Sequence, residues 1–378
     1  MIKGKRFAAL ALVASLGLIG AACGSDEDEA TTTEAPAATE APAATEAPAA
    51  TEAPAATEAP EGTTAAPSGD LKLGIAYDTG GRGDGTFNDA AAAGADQAVT
   101  ELGYTLDELE ATSDEDRKPN LEALTANGDN PVIAVGFLFS DTLGEIAAAN
   151  PDTQYAIVDG FVPPDVASNV LNLGFAEHQG SFLVGAAAAL KSESGHIGFI
   201  GGQEIDLIKK FEAGYIAGAK AVNPDIIIES QYLGAAGDNA AWGSPDKAKE
   251  IALGWYNDGA DIIYTAAGGS GAGTIEAAAE AGKWAIGVDS DQYLTVGDPD
   301  LQAHILTSML KRVDVAVFLT AKAVAEGDVS SVPPAFDLSV DGVGYSTSGG
   351  FIDDIVPQLE EFKQQIIDGT IEVPTMPE

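Results

Sequence analysis

Cysteine occurs once in 378 residues, at position 23, so no disulfide can form within the chain and the folded part holds no cysteine nucleophile. Histidine occurs three times; His178, His196 and His304 are scattered at spacings that fit no zinc motif, and each is read as structural. H-E-x-x-H and G-x-S-x-G are absent. So are G-x-x-x-x-G-K-[ST] and a G-x-G-x-x-G at a strand–helix turn, which argues against a nucleotide-phosphate cradle. Positive charge is scarce: 18 Lys and Arg stand against 59 Asp and Glu, a net −41. That balance lacks the basic footprint nucleic-acid binding needs, and it disfavours lying on anionic lipid. No metal or cofactor is implied, and signals for catalysis are thin.

What is present begins with a leader. Lys3, Lys5 and Arg6 precede an apolar run, Phe7 to Ile19, too short to span a bilayer comfortably and right for secretion. Small residues Gly20, Ala21 and Ala22 follow, then Cys23. A cysteine in that place resembles a bacterial lipobox, with Gly20 where leucine is usual. Residues 1–22 are therefore expected to be a lipoprotein signal peptide and Cys23 the lipidation site. Two or more acyl chains would anchor the mature chain stably on the extracytoplasmic face of the cell membrane.

Residues 23–69 are predicted to form a disordered acidic linker. Thr-Glu-Ala-Pro recurs with a period of six from Thr33 to Thr57, and no large apolar residue is available to bury. Regular proline and mutually repelling glutamates favour an extended stalk, reaching roughly 140 Å if fully polyproline-like. The leader contributes +3 and the linker −10, which leaves −34 for residues 70–378.

From Leu71 onward, short β-branched runs alternate with Ala-rich segments of helical period. Strands are predicted at 71–77, 105–110, 132–136, 155–159, 196–200, 226–232, 261–265, 284–288 and 303–307. Helices are predicted at 88–102, 117–126, 141–149, 178–191, 205–222, 245–257, 272–281, 310–325 and 351–367. Near-strict alternation argues for parallel sheets covered on both faces, and unbroken runs such as Ile226-Ile227-Ile228 read as buried strands. About 300 residues exceed one core, so two lobes are expected. The first takes 70–173 and 304–333, the second 174–303 and 334–378.

Ligands of open parallel sheets sit beyond the carboxyl ends of the strands. The first strand ends at Asp78, ahead of a glycine-rich loop, Gly80-Gly81-Arg82-Gly83-Asp84-Gly85-Thr86-Phe87-Asn88-Asp89. Thr86 with Asp89 reads as a capping box. Phe87 at the helix mouth is either a hydrophobic staple or a ligand platform. Asp159 and Asp289 also end strands; one aspartate there is ordinarily a turn former, but three invite a ligand that is neutral or cationic and rich in donors. The turn at Gly268 offers backbone for close approach. Trp242, in a polar, glycine-flanked loop, either folds onto the core or awaits a flat partner.

Taken in order, these segments resemble the basic membrane protein family, substrate-binding lipoproteins of ABC importers that include purine nucleoside receptors. Gly80-Gly81-x-x-Asp84-x-Thr86-Phe87-Asn88 is joined by Ile197-Gly198-Phe199-Ile200-Gly201-Gly202, Phe211-Glu212-Ala213-Gly214-Tyr215, Ala267-Gly268-Gly269-Ser270-Gly271 and Gly287-Val288-Asp289-Ser290-Asp291-Gln292. Thr307-Ser308 with Lys311-Arg312, and Ile371-Glu372-Val373-Pro374, complete the likeness; Thr86 replaces the usual serine. The resemblance implies a type 1 periplasmic-binding-protein fold, two Rossmann-like lobes joined by a three-segment hinge. It implies a monomer that delivers a nucleoside to an ABC permease. Phe87 and Trp242 would sandwich the base, Asp78, Asn88 and Asp159 would contact mostly the base, and Asp289 and Lys311 the ribose. A sugar or polyol receptor, a ligand sensor and, less favoured, a nucleoside hydrolase are the alternatives. The only hint of a calcium site for a hydrolase is Asp289-x-Asp291.

Overall fold

The computed structural model describes residues 70–377. The leader, the linker and Cys23, and with them the expected anchor, lie outside the described residues.

The chain opens with β1 (Lys72–Tyr77), α1 (Phe87–Leu102), β2 (Thr105–Glu110), α2 (Arg117–Asn127), β3 (Val132–Val135) and α3 (Ser140–Ala149), then β4 (Tyr155–Val158) and β5 (Val170–Leu173). These strands form one all-parallel sheet in the order β2-β1-β3-β4-β5. The inner strands β3 and β4 are buried along their whole length, as their unbroken apolar sequences demand of strands covered on both faces.

A second series follows: α4 (Glu177–Lys191), β6 (His196–Gln203), α5 (Asp206–Val222), β7 (Ile227–Gly234), α6 (Pro245–Asn257), β8 (Ile262–Ala266) and α7 (Gly271–Ala281). It continues through β9 (Trp284–Asp289), the short helices α8 (Gln292–Thr295) and α9 (Pro299–Gln302), and β10 (Ile305–Lys311). The chain ends with α10 (Val313–Glu326), β11 (Val343–Tyr345) and α11 (Val356–Ile367). The second sheet runs β11-β10-β9-β8-β6-β7, parallel except for β11, which pairs antiparallel with β10. α4 and α5 cross so closely that a Cβ on Gly185 or Gly214 would overlap the other helix's backbone, which is why glycine stands at both.

The return to the first lobe comes later than residue 304. Ile305–Lys311 is a largely buried run that pairs with β9 as far as Leu310, across one register shift after Ile305, so the strand belongs to the second sheet. The helix expected from Leu310 starts at Val313, and this helix, α10, packs against α1. The three connections between lobes lie side by side: the Phe336 N–H donates to the Gly174 carbonyl at 2.9 Å, the Ala176 N–H to the Phe336 carbonyl at 3.0 Å, and the Arg312 N–H to the Gly342 carbonyl at 2.9 Å. Both sheets therefore aim their strand ends at one cleft. Among the described residues no helix is long and apolar enough to cross a membrane.

Candidate functional site

The cleft holds a cavity of about 290 Å³, at the small end of small-molecule sites. Asp78, Phe87, Asn88, Asp159, Trp242, Gly268, Asp289 and Lys311 all line it. Phe137, from the loop after β3, and Phe211, on α5, add two further rings that sequence reading did not single out. Phe137 sits just beyond a strand end, so its position after the buried run Val132–Val135 was the available signal.

Phe87 is held by its helix start. Asp84, not Thr86, is the cap: its Oδ1 accepts from the Thr86 and Asp89 N–H groups at 2.9 and 3.2 Å, and its Oδ2 from the Asn88 N–H at 2.9 Å. The Thr86 hydroxyl makes no capping bond, because backbone φ and ψ of −139° and −105° turn it away; it is buried without a partner. Asp89 closes the glycine loop by accepting from the Gly83 and Gly85 N–H groups. Phe87 both packs against the core and faces the cavity, so the staple and the platform are one residue.

Trp242 is placed by Ser270. The Ser270 hydroxyl donates to the Ala241 carbonyl at 2.8 Å and accepts from the Ser244 N–H at 2.7 Å, tying the tryptophan loop to the glycine turn. Gly202 leaves the space the indole fills. Trp242 meets Phe137 of the other lobe edge to face, centroids 6.5 Å apart.

The polar end is built from strand termini. Asp159 and Asp289 both have φ of 63°, a left-handed conformation that aspartate tolerates better than most residues and that aims each carboxylate off its strand. Lys311, the last residue of β10, is 1 % exposed. Its Nζ lies 2.5 Å from Asp159 Oδ2 and 3.2 Å from Glu177 Oε1, within 5.0–5.5 Å of the ring centroids of Phe175, Phe87 and Phe211. Burial alone would lower the ammonium's pKa, but Asp159, Glu177 and Asp289 outweigh it and hold it above the ordinary lysine value. Burial also raises Asp159, against the pull of Lys311. Asp289 has no side-chain hydrogen bond among the described residues, and burial pushes its carboxyl up to about 7, with Lys311 opposing. Asp159 Oδ1 and Asn88 Oδ1 are likewise buried without partners. The cavity thus presents several acceptors and one ammonium.

Other polar residues are engaged elsewhere. Asp291 Oδ2 accepts from the Ser346 and Ser348 hydroxyls at 2.6 Å each, so it does not pair with Asp289. Among the described residues no group of three or more His, Cys, Asp or Glu is arranged for a metal ion. Cross-cleft bonds run from the Ser290 hydroxyl to the Thr86 carbonyl at 2.8 Å and from the Thr295 hydroxyl to the Gly85 carbonyl at 3.1 Å, so the lobes stand closed over the cavity.

A family model described as ABC transporter substrate-binding protein, PnrA-like (Bmp), matches residues 72–376. The CD4+ T-cell-stimulating antigen of Listeria monocytogenes is 36% identical over 330 residues, covering 82% of this chain and 90% of that protein. The ABC transporter nucleoside-binding protein BmpA of Lactococcus lactis is 33% identical over 328 residues, covering 81% and 90%. The crystal structure of an ABC transporter solute-binding protein from Aeropyrum pernix superposes with a TM-score of 0.68 at 28% identity, covering 82% of this chain and 94% of that one. A solute-binding protein from Conexibacter woesei, at 20% identity and TM-score 0.65, covers 82% and 100% and shares the fold. The two-lobed fold, the closed cavity at the strand ends and these likenesses agree: the chain belongs to the Bmp family of PnrA-like ABC transporter substrate-binding proteins.

Proposed function

We propose that this chain is the extracytoplasmic receptor of an ABC importer for nucleosides, purines foremost, held at the membrane by lipid on Cys23. The observation that carries the ligand class is Asp289, a buried carboxylate without a hydrogen-bond partner among the described residues, which shares one cavity with Lys311 and with Phe87 and Trp242. A ribose supplies hydroxyl donors to such a carboxylate, and a flat base fits between rings. The excess of carboxylates over the single ammonium works against an added phosphate. The name of the Lactococcus lactis relative supports the same class.

Calorimetry with guanosine, its 5′-monophosphate, guanine and a set of monosaccharides tests this. The nucleoside should bind tightest and the monophosphate far more weakly. A monosaccharide that binds more tightly than every nucleoside overturns the reading.

A further inference from the structure

One carboxylate of the cavity is set by a residue outside it. The Arg117 side chain is 6 % exposed and does not line the cavity. Its Nη2 and Nε donate to Asp78 Oδ1 at 2.7 and 3.2 Å, and its Nη1 donates to Asp114 Oδ1 at 2.7 Å. The Thr79 N–H also donates to Asp78 Oδ1, at 2.7 Å. All of these bonds fall on Oδ1. Oδ2 accepts none among the described residues, and it is backed by Gly136, where a Cβ would stand 2.8 Å from it.

A guanidinium has no lone pair with which to accept and keeps its charge, so the carboxylate it holds acts as an acceptor. Any ligand group that meets Oδ2 must therefore donate; a ring-nitrogen lone pair there would face a negative oxygen. Asn88 reinforces the bias. Its Nδ2 donates to Asp84 Oδ2 at 3.0 Å, and that carboxylate fixes the amide so that Oδ1, which lacks a partner, is a second acceptor.

We infer that Arg117 is a specificity-positioning residue: it turns Asp78 so that the cavity takes bases presenting an N–H donor to Oδ2 and rejects isosteric bases that lack one. The inference rests on the nucleoside reading above and narrows it.

Inosine and purine riboside test it, because they share the ribose and ring system and only inosine's base carries an N–H. Against the full mature chain, inosine should bind at least about tenfold tighter, as expected when a buried charged acceptor is left unpaired. Arg117→Met should shrink that ratio. Asp78→Asn, whose amide can donate or accept, should bring it toward one with Arg117 still in place, and it keeps the test valid if Arg117→Met does not fold. Equal affinities in the wild-type protein, or a ratio unchanged by Asp78→Asn, overturn the inference. Binding of neither nucleoside by the wild-type protein overturns the nucleoside reading itself, a result that the ratio cannot mimic.

Discussion

Asp159 and Lys311 join the two lobes inside the molecule: the Asp159 Oδ2 at the end of β4 lies 2.5 Å from the Lys311 Nζ at the end of β10. Glu177, 1 % exposed, lies 3.2 Å from the same ammonium and is also paired with Lys210 at 3.1 Å. Charges taken this far out of water are tolerated because they are paired, and the pairing puts the ammonium at the mouth of a connection between lobes.

Removing that ammonium should be costly. Lys311→Met leaves Asp159, Glu177 and Asp289 facing one another, and the expected loss is about 3–5 kcal/mol of folding stability, measured by urea unfolding at pH 8. The variant should recover stability as pH falls, because the stranded carboxylates then take up protons. A loss under about 1 kcal/mol at pH 8 would mean that the cluster is solvated.

Asp289 predicts a pH dependence. Its carboxyl titrates at about 7 in the folded protein, against about 3.9 in an unfolded chain. Between those values the native state holds the extra proton, so the stability this group contributes is present at low pH and lost as pH rises through 7. The ligand-free protein should therefore lose melting temperature from pH 5 to pH 8 relative to Asp289→Asn. Nucleoside hydroxyls need the ionised acceptor, so affinity should weaken below pH 7, with proton release on binding. Parallel pH curves for wild type and Asp289→Asn would remove the role.

The aromatic walls predict a separable effect. Phe87→Ala and Trp242→Ala should each cost about 1–3 kcal/mol in nucleoside affinity, the range for base–aromatic stacking. Asp289→Ala should cost at least as much for a nucleoside and much less for the free base, which has no ribose. Equal losses for base and nucleoside would move the ribose away from Asp289.

Anchoring is tested on the native membrane. Cys23→Ala should release the protein or leave it unprocessed, and a chain starting at Gly69 should bind ligand as the full mature chain does. A native N-terminus elsewhere, without added lipid mass, would rule out the anchor.

Much of this was legible in the sequence because inner parallel strands bury both faces and so write themselves as unbroken apolar runs; the run Ile226-Ile227-Ile228 is the exception, since β7 is the edge of its sheet and Ile227 is exposed. Asp159 and Asp289 stood out by ending such runs. β5 and β11 were missed: Val170–Leu173 is a half-buried edge strand with a polar residue in four, and Val343–Tyr345 is three residues long. Lys311 looks from local sequence like the start of an exposed helix, and only the family resemblance pointed to it. Glu177 and Arg117 gave no signal, since the cavity groups they pair with, Lys311 and Asp78, lie far off in sequence. The cap of α1 was assigned to Thr86 because Asp84 reaches it across a glycine loop, at a spacing no capping box has.

Mass spectrometry of the native protein, purified without unfolding and then released from its ligand by denaturation, identifies what the cavity holds. A retained nucleoside is expected, or its uptake when a mixture of nucleosides, nucleotides and sugars is offered in equal amounts. Recovery of a sugar or a nucleoside monophosphate in preference to every nucleoside would rule out a nucleoside receptor.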